Sequence, residues 1–400
     1  MTRVHPILLA SLLIDSLGSG TAGPMVLLYF HRVADLPLAQ VGLIASVAAT
    51  TGLVIPLFAG SLADRFSPRA LVVAGQLIQA LGYILFLVAR DPVPIFLAFV
   101  LSTAGLRVFW ATFFSMLAGL PLVLSRERLF AMTGMTQAIG FGVGALIGGL
   151  LVAHGSMPLF QVALAFNVLS YLVAAVLLLQ VPMALTVPAA QRQSGLRTLL
   201  RDRAFLGLIV VDIGFAICSD ALMVGLPIAV KEGGIAHVAV LGPLLALNTL
   251  VIVTAQLFVA DRLGGFSRVQ ALAAAGGLWC VWALAMAVLP VRSMIFSSFL
   301  LAVLVLVYCL AEMIHAPVAQ ALAADAAPVQ HRGMYLAGFQ YGFAIANVVV
   351  PGAFTALFAL GHAVPWLALA GLAAATAGGV AVVGRFLPGA AVRPVRPVAA

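Results

Sequence analysis

Lysine occurs once in this 400-residue chain, at Lys231, and charged side chains of both signs together make up 8% of it, where a soluble domain carries roughly 25%. So little charge cannot clothe a water-facing surface, and a soluble protein is excluded. Cysteine is almost as scarce. Cys218, Cys280 and Cys309 fall in apolar runs without paired spacing, which excludes a disulfide framework and leaves them as small apolar fillers. No Gly-Lys-Ser or Gly-Lys-Thr element exists to form a phosphate-binding loop, so nucleotide hydrolysis by that route is excluded. No serine, histidine and aspartate set has the spacing of a hydrolase. An enzyme is therefore not expected, and neither is a cofactor. Although the formal net charge is +8, no loop is long enough to form a basic domain, so a nucleic-acid partner is excluded.

What fills the chain instead is hydrocarbon: 64% of residues are hydrophobic and the mean hydropathy is +1.19. Apolar runs of about 20 residues, enough to cross a bilayer core, fall near 6–30, 40–60, 70–89, 94–120, 132–153, 159–181, 205–230, 238–259, 269–290, 294–317, 334–358 and 364–384. Twelve such runs predict an all-α polytopic protein of the lipid bilayer. The first run holds Asp15 and has no small-residue cleavage site, so it reads as a retained span and not as a signal peptide. An even number of spans puts both termini on one side. Fifteen arginines then fall on that side, against Arg32, Arg90, Lys231 and Arg292 on the other, and the positive-inside rule makes the termini cytoplasmic. A monomer is the expected form.

The one sizeable polar connection, 182–204, carries two prolines and four arginines. It divides an N-terminal six-span half, 1–181, from a C-terminal half, 205–400, that ends in a short cytoplasmic tail. The halves repeat one another. Asp15 in the first run corresponds to Asp212 in the seventh, and Asp64 in "GSLADRFSPRAL" to Asp261 in "FVADRLGGFSRV", both at an offset of 197 residues. Arg128 with Gly134 likewise matches Arg332 with Gly338 at an offset of 204. Two repeated six-helix halves are the architecture of a two-bundle secondary transporter.

Gly60, Asp64, Arg65 and Arg69 resemble the loop 2–3 signature of the major facilitator superfamily, G-x-x-x-D-R-x-x-x-R, with Ser67-Pro68 where a glycine and a basic residue are usual. Asp261, Arg262 and Arg268 form a weaker second copy. The resemblance runs from end to end of the chain and implies two pseudo-symmetric six-helix bundles. It also implies a gate role for the cluster, with Asp64 latching the bundles in the outward-facing state. Physically, an aspartate at the end of a span can face the positive N-terminal end of a neighbouring helix, while arginines at that level pair with it and hold the loop inside. A pure topology anchor is the other role open to these residues, and the two are compatible. In the fifth run, Gly140, Gly144 and Gly148 recur every four residues and line up a small-residue face for close helix packing. With Gly149 they resemble the superfamily's antiporter signature, G-x-x-x-G-P-x-x-G-G, with Ala145 in place of the proline. That likeness implies export, while helix packing alone also accounts for the glycines.

Asp15, Arg107, Asp212, Asp220 and Glu312 lie inside predicted spans, where each charge costs roughly 2.5–3.5 kcal/mol on insertion scales. Such groups must be paired, protonated or facing water, and carboxyl groups that exchange a proton suit coupled transport. Asp15, Asp212 and Glu312 are the candidates for that role. Gly18, Gly20, Gly23 and Pro24 loosen the helix beyond Asp15, and this resembles the first span of twelve-helix drug/proton antiporters, whose acid and broken helix help form a central cavity. Arg107 stands at the place of the family's intramembrane arginine, with Trp110 and Ala111 where glutamine and glycine are usual. Trp110, about one turn on, could cover a substrate by stacking, whereas Arg107 could also be a fixed counter-ion to Asp15 or Asp212. Asp212 and Asp220 share one face of the seventh span, which is expected to line the cavity. Glu312 and His315 are one turn apart and suit either a proton relay or a satisfied pair. Glu-x-x-His is also half of a carboxylate-bridged metal site, but no second copy exists and no metal is expected. Asn248 and Asn347 are polar groups of the cavity wall or simple cross-helix bonds.

These readings converge on a proton-coupled exporter of amphipathic or cationic small molecules, working by alternating access in a bacterial inner membrane. Its partners are the small-molecule substrate, protons and lipid. A proton symporter for a polar metabolite, such as a sugar or an organic acid, is the second reading, and it calls for more convergent hydrogen-bonding groups than the spans offer. A non-transporting receptor or scaffold is the third, and it would be expected to carry a further domain.

Overall fold

Backbone N–H and C=O groups inside hydrocarbon must be satisfied within their own segment, which leaves the helix as the form open to isolated apolar runs. The computed structural model describes residues 6–34, 36–120, 125–154, 156–181, 195–263, 265–289 and 294–393, and among them every regular element is helical. The first span is a bent pair, Pro6–Ala22 with Val26–Val33, joined by a 3-10 turn at Gly23–Met25. Spans two to six are Gln40–Arg65, Pro68–Val88, Pro92–Ala118, Arg126–Ala153 and Met157–Leu179. Spans seven to twelve are Arg203–Lys231, Val238–Leu263, Arg268–Ala287, Ile295–Ala326, Val329–Leu360 and Val364–Val383. With the bent pair counted once, twelve described segments are long and apolar enough to cross a membrane.

Several helices outrun their apolar stretches: the fifth starts at Arg126, ahead of the run at 132, and the tenth passes through Pro317, where the run ends, and continues to Ala326, because helical hydrogen bonding continues past the point where an apolar run is broken. The expected linker lies outside the described residues over 182–194. From Gly195 the chain is described again, with a short helix, Leu196–Arg201, before the seventh span.

The helices gather into two compact units. The first comprises residues 1–124, 133–197 and 328–338, and the second 125–132, 198–327 and 339–400. Each therefore takes in a short segment from the opposite half of the sequence. Those segments correspond at the offset of 204 residues that relates Arg128 and Gly134 to Arg332 and Gly338.

In the first unit, Tyr29, Phe30 and Phe86 are fully buried and meet edge to face with Tyr83 and Phe99 at centroid distances of 4.9–5.2 Å for the T-shaped pairs. In the second, Trp282 sits 5.5 Å from Trp366, which in turn meets Phe354 at 4.9 Å. Leu146, Leu150 and Ile295 point outward, at 73%, 66% and 85% exposure. Isolated in water they would form an adhesive surface; against lipid chains they are matched.

The glycine stripe of the fifth span makes a close helix contact in the first unit. A Cβ on Gly140 would lie 2.7 Å from the Leu13 carbonyl oxygen, one on Gly144 would strike the Leu17 carbonyl, and one on Gly148 would come 2.5 Å from the Thr21 carbonyl. Backbone thus rests on backbone along the first span, past Asp15. Gly149 has nothing within 4 Å of an added Cβ. Gly144→Val is expected to cost about 1–3 kcal/mol by overpacking, read as a lower melting temperature in detergent, whereas Gly149→Val leaves melting unchanged. Equal melting of the two variants would contradict the packing role of the stripe.

Candidate functional site

Polar chemistry collects at two levels in each unit, at the span ends and inside the spans. At the end of the second span, the Asp64 carboxylate is 7% exposed. Its Oδ1 accepts from the Gly333 N–H at 2.8 Å and its Oδ2 from the Met334 N–H at 3.2 Å, and the Gly195 backbone is a third donor in reach. Gly333 and Met334 lie in the first turn of the helix Arg332–Phe339, where N–H groups have no helical partner and the helix dipole favours an anion. Two glycines permit this approach. A Cβ on Gly333 would lie 2.7 Å from Asp64 Oδ1, and one on Gly60 2.6 Å from the Ala337 methyl. Arg69 turns elsewhere: its Nη1 donates to the Leu179 and Val181 carbonyls at 3.1 and 2.9 Å, capping the sixth span. Arg65 is exposed.

The corresponding end of the second unit has the opposite polarity. Asp261 is half exposed and meets Arg128 at 3.2 Å, a surface pair worth about 0–1 kcal/mol. Arg262 lies over the Phe258 ring. The buried group is Arg268, 3% exposed, whose Nε reaches Glu127 at 2.6 Å and whose Nη1 reaches Asp325 at 2.8 Å. Arg126 also pairs with Asp325. The same Arg268 Nη1 donates to the Ala391 carbonyl at 2.8 Å, which ties down the short helix Gly389–Val392. Two cations and two anions balance in this hub. Sequence reasoning counted Arg126 only among the arginines that set the topology and passed over Glu127 and Asp325, and the available signal was their position beyond the ends of apolar runs.

Inside the first unit, Asp15 is 9% exposed and in polar contact with the Gln76 side chain of the third span. Around it lie neutral polar groups that sequence reasoning did not single out. Ser19 meets the Tyr171 hydroxyl at 3.1 Å, Tyr83 faces Tyr171 at 5.6 Å between rings, and Asn167 contacts both tyrosines. Gly18 makes room for this group, since a Cβ there would strike Ser170 and Asn167. Arg107 packs its stem toward Gly52 of the second span. Trp110 stacks with Phe114 at 5.8 Å and meets Phe109 and Phe113 edge-on, so its ring contacts are the protein's own aromatics.

Inside the second unit, Asp212 and Asp220 have different partners. Asp212 Oδ1 is 3.2 Å from His315 Nε2, with both side chains at most 2% exposed. The imidazole sits between Phe215 and Trp279, at 5.1 and 5.2 Å between ring centroids. Asp220 accepts from Asn347. Glu312 is in polar contact with Ser219, whose carbonyl accepts from the Tyr308 hydroxyl. Asn248 accepts from the Cys309 thiol at 3.1 Å. Among the described residues no group of three histidine, cysteine, aspartate or glutamate side chains is placed to hold a metal ion.

With this geometry in view, a family model described as Major Facilitator Superfamily matches residues 8–308. The "Multidrug resistance protein MdtH" of Klebsiella pneumoniae strain 342 is 26% identical over 374 residues, covering 90% of this chain and 89% of the relative. The protein of that name from Yersinia enterocolitica is 28% identical over 228 residues, and there the chain spans 56% of the relative's length. Among solved structures, the transporter FucP superposes with a TM-score of 0.77 at 17% identity, over 96% of this chain and 98% of that one. FucP is the E. coli fucose:proton symporter.

Asp64→Asn keeps the shape of the side chain and removes the charge that faces the helix N-terminus, an interaction worth up to about 2 kcal/mol. Normal membrane insertion with turnover slowed several-fold in reconstituted vesicles is the expected outcome. Arg268→Ala strands Glu127 while Asp325 keeps Arg126, and is expected to cost about 3 kcal/mol, seen as a smaller yield of folded protein. Wild-type turnover in Asp64→Asn would reduce that contact to an anchor.

Proposed function

The chain belongs to the Major Facilitator Superfamily, and we propose that it exports amphipathic or cationic small molecules in exchange for protons, across a bacterial inner membrane and by alternating access. It is a multi-pass membrane transporter and not an enzyme. The observation that carries the finer reading is the setting of Asp15: a carboxyl group almost out of contact with solvent, among neutral polar groups, on a span that bends one helical stretch later. An acid in such a place holds a proton or a cation, and attraction in low dielectric favours a cationic guest over a neutral one. Proton and substrate then compete for one negative charge, which is the condition for exchange. The names of the Klebsiella and Yersinia relatives support drug export, and the arginine asymmetry of the loops supports cytoplasmic termini. A monomer suffices for this scheme.

Alternating access also needs contacts that hold one state and yield in the next. The Asp64 contact with the Arg332–Phe339 helix suits that role, because a carboxylate at a helix N-terminus contributes about 0.3–2 kcal/mol, within reach of a substrate's differential binding. Arg268 suits the opposite role of a brace that stays shut until several charges separate together.

The second reading, a proton symporter for a polar metabolite, draws on the Ser19, Gln76, Asn167 and Tyr171 groups, which offer hydrogen bonds to a hydroxylated substrate. A drug-sensitive bacterial strain distinguishes the two. Expression should raise resistance to cationic dyes and leave growth on sugars or organic acids unchanged. In detergent, purified protein should release protons when ethidium binds, and Asp15→Asn should release fewer. If Asp15→Asn releases as many as wild type, the exchanging acid is not Asp15.

A further inference from the structure

We propose that the second unit holds a proton-binding site of its own, formed by Asp212 of the seventh span and His315 of the tenth and served by Glu312, so that two protons are exchanged per substrate, one in each unit. This rests on the reading of proton-coupled export and adds to it a site, its members and a stoichiometry.

Four observations carry it. The Asp212–His315 contact of 3.2 Å is buried to within 2% on both sides, and a carboxyl–imidazole contact, which is an ion pair only when the ring is protonated, is poor structural cement there, because apolar side chains of similar size would serve as well. Second, the charges do not balance. Glu312, from the helix of His315, lies close enough to His315, Asp212 and Asp220 to act on each of them electrostatically, and Asp220 is carried by the helix of Asp212. The remaining neighbours, Ser219, Tyr308, Cys309 and Asn347, with Trp279 of the ninth span, are neutral. Two carboxyl groups, Asp212 and Glu312, thus act on one imidazole, with Asp220 a third acid beside Glu312, and full ionisation would leave uncompensated negative charge inside the spans, where charge is costly. Protons supply the missing positive charge.

Third, the pair is only half committed. Asp212 Oδ2 and His315 Nδ1 make no hydrogen bond within the protein, and neither do Glu312 Oε2 and Trp279 Nε1, although all four atoms are buried. Structural polar networks are ordinarily saturated; here each partner keeps one atom for traffic. Fourth, Gly342 of the eleventh span keeps space beside the uncommitted oxygen, since a Cβ there would lie 2.7 Å from Asp212 Oδ2.

The exchange balances without any other reactant. In the loaded state the imidazole keeps one proton on Nδ1 and a second proton lies between Asp212 Oδ1 and His315 Nε2, so that its loss leaves a neutral imidazole beside a carboxylate. When a cationic substrate binds, that proton passes by way of Glu312, one turn along the tenth span, to the medium. The site then carries one more negative charge, matched by the cation. When the substrate leaves, a proton returns and restores the pair. Phe215 and Trp279 hold the ring plane while this occurs.

The test uses the full-length protein in detergent with ethidium as the probe and a pH-indicating dye. Wild type should release two protons per ethidium bound, Asp15→Asn, Asp212→Asn and His315→Gln one each, and the Asp15→Asn/His315→Gln double variant none. Because a core variant can fail to fold, ring-15N nuclear magnetic resonance of wild type gives an independent reading. One of the seven histidine signals, assigned by its absence in His315→Gln or by specific labelling, should change protonation when ethidium binds. Wild-type proton counts in both Asp212→Asn and His315→Gln, an unmoved His315 signal, or dependence on sodium in place of pH each overturn the second site. Release of one proton, lost in Asp15→Asn, also overturns it while leaving the proposed function intact, whereas no release from wild type removes proton coupling altogether.

Discussion

Hydrocarbon accepts neither an unpaired backbone group nor an unpaired charge, and the arrangement of this molecule follows from how each charge is met. A lone ionised side chain costs roughly 2.5–3.5 kcal/mol in a span, so five intramembrane ionisable groups together outweigh a large part of ordinary folding stability. Asp64 is met by free N–H groups of a helix start, Arg268 by two carboxylates and a carbonyl, Asp212 by an imidazole and Asp220 by an amide. Each solution differs in strength, and the proposed division between a contact that yields and a brace that holds rests on those differences.

The two copies of the repeated motif illustrate the point. Both began from the same Ala-Asp-Arg core, yet the first buries its aspartate and the second its distal arginine. In the first, Gly60 and Gly333 bring a helix start onto the carboxylate, a contact of modest energy made of neutral donors. In the second, Ser267 and Gln270 form a capping box that starts the ninth span beside Arg268, and the arginine gathers Glu127 and Asp325 in a fully charged hub. Removing one member of the first leaves water able to enter at a span end, while removing one member of the second strands buried charge. Pseudo-symmetry of sequence has become asymmetry of structure.

The helical spans were legible in the sequence, because hydrophobic run length is a direct consequence of the bilayer, and the bend after Asp15 was legible in Gly23 and Pro24. The glycines of the fifth span were legible as a packing face, although Gly149 does not share the contact made by Gly140, Gly144 and Gly148. The site was harder to read. The partners of Asp64 are backbone groups 269 and 270 residues away, and a helix N-terminus leaves no side-chain signature. His315 was placed beside Glu312 by helical spacing, whereas its closest polar partner is Asp212, 103 residues distant. Charges just past the apolar runs, Glu127 and Asp325 among them, fell outside the spans as hydropathy draws them and inside the helices as hydrogen bonding does.

Exchange of protons for a cation is the central claim, and its most direct measurement uses proteoliposomes with the membrane potential clamped by potassium and valinomycin. A proton gradient is imposed, and ethidium is supplied at equal concentration on both sides. The dye is expected to move uphill, opposite in direction to the protons, and to stop when nigericin collapses the gradient. Dye that moves in the same direction as the protons, or that moves at the same rate without a gradient, would contradict exchange.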